Sequence, residues 1–219
     1  MRRLIKIPIT VFLMAVFLFP SGAGAKTFEE CIYIVPAGKV DTKILAKLKN
    51  RLPGMFPMSV KAVIDPGQEL PQAAYDPSRR QYDAQKVIDD ISQRIVLTLV
   101  NERALIVTEE DLYIPGADFV FGLADDKKGI AIVSLARLRN EFYGQKPGER
   151  LLAERAVKKA ACELGRSWKI SACKSQKCVM FPSAIPADID KERESFCYKC
   201  RIAIENRYGS RGLIGQKKK

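Results

Sequence analysis

ERLLAERAVKKAACELGRSWKISACKSQKCVM, running from Glu149 to Met180, is the stretch on which the fold turns. In its first half Ala153, Ala156, Val157, Ala160, Ala161 and Leu164 recur at three- and four-residue intervals. That spacing lays an apolar stripe along one face of a helix. It predicts a core helix over Glu149–Gly165, with Gly165 as its stop. The second half carries Cys173 and Cys178, answered downstream by Cys197 and Cys200. Two close cysteine pairs separated by a loop have the spacing of a four-thiolate zinc site, each pair presenting two sulfurs from one short turn. In an oxidising compartment two disulfides are the rival; the ligand spacing favours zinc. Either way the cluster's role is structural, pinning the loop between Met180 and Phe196.

Upstream, Ile32–Val35 is a short apolar run ended by Pro36, and Val60–Ile64 is a second one ended by Asp65-Pro66-Gly67. Both read as strands. Between them Asp41 is placed to cap a helix whose face is Ile44, Leu45, Leu48 and Leu52. A polar, proline-containing stretch follows to about Tyr82, then a helical stripe of Val87, Ile88, Ile91 and Ile95. Leu105–Val107 reads as a strand, and Phe119–Leu123 and Ile130–Leu135 read as a hairpin about Asp125–Gly129. Strands interleaved with helices predict an α/β chain, of α+β type: a mixed twisted sheet with helices packed on it and a cysteine-rich C-terminal region.

The ends set the expected compartment. Arg2, Arg3 and Lys6 precede an apolar run from Ile7 to Phe19, then Pro20 and the small residues Ala23-Gly24-Ala25. This is the layout of a signal peptide over residues 1–25. The run of about 13 residues falls short of the roughly 20 that span a bilayer. The expected product is an exported chain, periplasmic or secreted, with one domain over residues 26–208 and a basic, disordered tail over 209–219. The net charge of +12 is spread along the chain apart from Lys217-Lys218-Lys219. For an exported protein that suits contact with an anionic membrane or envelope surface better than nucleic acid.

Taken together, Cys162-Glu163-Leu164-Gly165-Arg166, Ala172-Cys173, Cys178-Val179-Met180 and Phe196-Cys197-x2-Cys200 resemble the archaemetzincins. These are metzincin-clan zinc metallopeptidases with the signature HExxHxxGxxH, followed by CxxxxCxM and CxxC. The likeness extends over about Ile32–Cys200, through Tyr82, Asp111-Leu112-Tyr113, Phe121-Gly122 and Arg137-Leu138. It implies a metzincin-like fold. It also implies that Cys173, Cys178, Cys197 and Cys200 hold one structural zinc, that Met180 is the methionine turn beneath the catalytic metal, and that Glu163 is the general base. The three histidines of the signature fall at Cys162, Arg166 and Ala172, and its glycine at Lys169; the chain contains no histidine at all.

Those departures predict a lost catalytic zinc. An alanine offers no ligand, and an arginine is a permanent cation that only donates hydrogen bonds. Without the metal, the water that Glu163 would deprotonate is not activated. The expected function is therefore an inactive peptidase homologue. Its remaining asset is a cleft in which, as the resemblance implies, an extended peptide lies along a sheet edge. Arg155, Lys159, Cys162 and Arg166 share one helix face. Arg166 is expected to pair with Glu163 one turn back, with a solvated basic face as the rival reading, and such a face suits an acidic partner. Two alternatives remain: an altered enzyme, either using Cys162 as nucleophile with its thiol acidified by nearby cations or recruiting metal through Cys162, Glu163 and other carboxylates as an active metallopeptidase, and redox release of zinc from the four thiols.

Overall fold

The computed structural model describes residues 30–97 and 102–209. The expected signal peptide and the tail beyond Gly209 lie outside the described residues.

Strand β1 (Glu30–Ala37) leads to helix α1 (Thr42–Arg51) and strand β2 (Val60–Ile64). Two short strands, β3 (Tyr75–Asp76) and β4 (Gln81–Asp83), precede helix α2 (Ala84–Ile91). Strands β5 (Arg103–Thr108), β6 (Leu112–Tyr113), β7 (Gly122–Asp125) and β8 (Ile130–Ser134) follow. Helix α3 (Glu149–Ser167) then leads to α4 (Pro186–Lys191) and α5 (Tyr198–Ile204). The main sheet has the order β2-β1-β5-β8-β7, parallel except for β7, which runs antiparallel on the edge.

Period-two alternation along the inner strands feeds two cores. Ile32, Ile34, Leu105, Val107, Ala131 and Val133 face α1, α3 and the cysteine-rich lobe. Val35, Ala104, Ile106, Ile130 and Ile132 face α2. Because both faces are covered, the inner strands read as near-continuous apolar runs. The architecture is thus the expected mixed sheet with helices on it. Asp41 caps α1 as read, its carboxylate accepting from the Lys43 amide at 2.8 Å.

Three local expectations are corrected. β1 does not stop at Pro36 but runs through it to Ala37, in register with Val107 and Thr108. The polar stretch before Tyr82 is not a plain loop: β3, β4 and β6 form a second, small sheet. Gly165 does not end α3, which continues to Ser167. A Cβ on Gly165 would stand 2.6 Å from Met180 Sδ, so the glycine is required by the close approach of the chain beneath the helix. The chain leaves the helix two residues past Ser167, through Lys169, which stands in the left-handed region at φ 61°. Lys169 N–H donates to Arg166 O at 2.7 Å and Ile170 N–H to Gly165 O at 3.0 Å. That hydrogen-bond pair is a Schellman cap, built here on a lysine where the resembled signature has glycine.

Candidate functional site: a charge-filled helix face beside a four-cysteine cluster

The last turns of α3 lie against β7 and β8. Gly122 of β7 makes room for Glu163: a Cβ there would meet Ile132 O at 2.5 Å and Glu163 Cγ at 2.8 Å. Glu163 is 2% exposed. Both its carboxylate oxygens accept from Arg166 Nη1, at 3.0 and 3.2 Å. Burial pushes the Glu163 carboxyl up, with Arg166 and Lys159 pulling the other way. The expected pair is therefore present. The solvated basic face is not. Arg155 is 6% exposed and Lys159 2%. Arg155 is bidentate to Asp190 at 2.8 and 2.7 Å and donates to Leu138 O and Asn140 Oδ1. Lys159 Nζ lies 3.9 Å from Glu192 Oε1, which also accepts from Ser183 Oγ. The ground for expecting an acidic partner at this face falls with it.

Cys162 is fully buried. Its thiol is pushed up to about 12, by burial first and by the Glu163 charge second, against the pull of Lys159 and Arg166. The expectation that neighbouring cations acidify it is overturned: desolvation outweighs them. A buried thiol held protonated is not a nucleophile. Ala172 is exposed, in the segment leading into Cys173. The donor set around Glu163 therefore does not fit a catalytic divalent ion. It holds a single buried thiol, an alanine that offers no ligand, and two cations, Lys159 and Arg166, against two carboxylates, Glu163 and Glu192.

Glu192 and Asp190 are the residues that sequence reasoning missed. A signal exists: Asp188, Asp190, Glu192 and Glu194 alternate along the loop between the cysteine pairs. Each finds a cation: Lys191, Arg155, Lys159 and Arg51 respectively. Glu192 Oε2 is buried without a hydrogen-bond partner among the described residues.

Cys173, Cys178, Cys197 and Cys200 do come together, their sulfurs all within 4.8 Å of one another. Cys173 and Cys197 are 3.7 Å apart and Cys178 and Cys200 3.8 Å. A tetrahedral zinc with bonds of about 2.3 Å separates its sulfurs by about 3.8 Å, whereas a disulfide needs about 2.05 Å. All four are free thiols. Burial opposes the Cys197 thiolate, but hydrogen bonds from the Cys200 backbone and the neighbouring thiols hold it at about 7. The donor set fits a divalent soft-ligand ion. Met180 packs beneath α3 on Gly165, its carbonyl accepting from the Cys173 amide at 2.9 Å.

The sequence model of peptidase family M54 matches residues 35–206. The chain belongs to that family. It is 35% identical over 190 residues to the archaemetzincin of Pyrococcus furiosus, covering 85% of this chain and 97% of that protein. Among solved structures it is similar to a zinc-dependent peptidase from Methanocorpusculum labreanum, with a TM-score of 0.72 and 32% identity over 79% of this chain and 99% of the other. It is also similar to archaemetzincin from Methanopyrus kandleri, with a TM-score of 0.71 and 28% identity over 86% and 99%. The M54 chain thus has the archaemetzincin fold that its motifs implied.

Proposed function

We propose that this M54 chain is a catalytically inactive member of its family that retains one structural zinc on Cys173, Cys178, Cys197 and Cys200. The Glu163–Arg166 pair carries this reading. Arg166 stands where the family signature has a histidine, and its guanidinium takes up the carboxylate that would serve as general base. A carboxylate held by a permanent cation, with no metal-activated water beside it, has nothing to deprotonate. The sulfur spacing supports the structural zinc, and such an ion would stabilise the lobe it ties together.

What remains is a binding surface. β7 ends the main sheet on the side of α3, and an extended peptide added there would use backbone groups that loss of the histidines leaves untouched. The chain is exported with residues 1–25 removed, on the strength of the Arg2–Ala25 layout.

Zinc counting on the mature chain, with a protein-cleavage assay alongside, tests the reading. One zinc per chain, kept in Cys162→Ser, with no cleavage is the expected result. Two zincs, one of them dependent on Glu163 or Cys162, together with cleavage would overturn it.

A further inference from the structure

The surplus of basic charge is concentrated in the C-terminal part of the chain. Residues 169–219 hold twelve Lys and Arg against five Asp and Glu, which is more than half of the chain's net +12. Four of those five carboxylates are Asp188, Asp190, Glu192 and Glu194, all paired with cations. The cations themselves mostly face outward. Two adjoining grooves share Ser175, Cys197 and Tyr198, and Tyr198, 78% exposed, stands between them. Lys177, Arg193 and Arg201 line the first groove. Lys169, Lys174, Lys199 and Arg207 line the second. All seven are exposed. Lys169 is paired with Asp126 at 3.3 Å; none of the other six makes an ion pair among the described residues. Glu205 is the one carboxylate lining either groove.

We infer that this face of the cysteine-rich lobe is a docking surface for an anionic lipid bilayer, gripping phosphate headgroups through the seven cations with Tyr198 seated at the headgroup level. A zinc on four thiolates carries two net negative charges, so, resting on the proposed zinc, the seven cations still leave a clear positive surplus above it. An exposed tyrosine with an apolar ring and a polar tip is suited to the membrane–water boundary. With Phe196 buried, Tyr198 is the single exposed aromatic residue lining the grooves, a poor platform for stacked bases, which favours lipid over single-stranded nucleic acid. The other five cations of the segment are Lys191, paired with Asp188, and Arg211 and Lys217–Lys219, which add like charge in sequence. No described helix is long and apolar enough to cross a membrane; the contact inferred is a peripheral one. Each Lys or Arg at an anionic bilayer surface strengthens partitioning about fivefold.

The test is co-sedimentation of the mature, zinc-loaded chain with phosphatidylcholine vesicles, with and without about one-third phosphatidylglycerol. Expected is binding to the anionic vesicles alone, abolished at about 0.5 M salt, where the screening length shrinks to a few ångströms. Lys199→Glu with Arg201→Glu, one from each groove, should weaken binding at least about 25-fold. Lys174→Glu with Arg193→Glu, a second pair checked for the same zinc content, should do likewise. Lys43→Glu with Lys47→Glu on the exposed side of α1 changes net charge equally and should leave binding within about threefold. Equal losses in all three variants would reduce the effect to net charge and overturn the proposal. Absence of wild-type binding would overturn it outright. So would tighter binding to a single-stranded oligonucleotide at matched salt, which would make the face a nucleic-acid surface.

Discussion

Removing Arg166 should destabilise the chain in a way that reports on Glu163. The Glu163 carboxylate is 2% exposed and takes both its hydrogen bonds from Arg166 Nη1. Deleting one partner of a fully buried ion pair costs about 3–5 kcal/mol, because the other charge is left uncompensated. The Arg166 side chain is 37% exposed, so solvent screens part of the pair; the expected loss for Arg166→Ala is about 2 kcal/mol at neutral pH. The loss should depend on pH. Burial holds the Glu163 carboxyl above its ordinary 4.5, and Arg166 is the larger of the two cations opposing that rise. A carboxyl whose folded pKa is raised binds its proton more tightly folded than unfolded. Its contribution is most favourable below the unfolded value and is lost as pH climbs through the folded one. Without Arg166 the folded value climbs further, so Arg166→Ala should lose most relative to wild type above that window and least near pH about 4.5. Urea unfolding across that range, with zinc present and wild type subtracted at each pH, measures it. Adding Glu163→Gln to Arg166→Ala should remove both the slope and most of the deficit. A flat profile with a loss under about 0.5 kcal/mol would mean that the pair does not exist in solution.

Other substitutions probe the supports of the site. Cys200→Ser should abolish zinc binding and open the segment from Cys173 to Ile204 to limited proteolysis, since the staple is lost; metal analysis beside a protease time course checks both. Lys169→Gly should stabilise the chain by about 1 kcal/mol, because it relieves a left-handed conformation at φ 61°. Calorimetry would show this as a higher Tm with unchanged zinc content. Gly122→Ala should cost at least about 3 kcal/mol, since the new Cβ meets the Ile132 carbonyl at 2.5 Å and backbone cannot step aside. Denaturant unfolding with no measurable destabilisation would mean that β7 and α3 are less closely packed than described.

The elements with strong periodicity were legible from residues alone. β1 and β5 alternate between two cores, β2 turns Val60 and Ala62 into the first, and α1 and α3 repeat every three to four residues. The small sheet β3-β4-β6 was not, because polar side chains rather than an apolar pattern hold it. Gln81 donates to Asp111 at 2.8 Å, Asp111 accepts from Arg137, and Arg79 reaches the carbonyls of Ala117 and Asp118. Gly165 was legible as special but for the wrong reason: a helix stop and a close approach both demand glycine, and only the fold shows Met180 beneath it. The four cysteines were legible because two close pairs have the local spacing that a tetrahedral ion would require.

The helix face shows where a pattern runs out. Periodicity places Arg155, Lys159, Cys162 and Arg166 on one side of α3 but says nothing of what covers that side. What covers it is the loop between the two cysteine pairs, through Asp190 on Arg155 and Glu192 on Lys159. That loop leaves the cluster at Cys178 and returns at Cys197. The cysteine cluster and the altered helix are therefore one electrostatic unit. An unpaired buried charge costs several kcal/mol, so the two lysine- and arginine-bearing turns of α3 can stay buried only while the loop's carboxylates are held against them. Loss of the four-thiol cluster is expected to loosen that loop and leave Arg155 and Lys159 without their carboxylates.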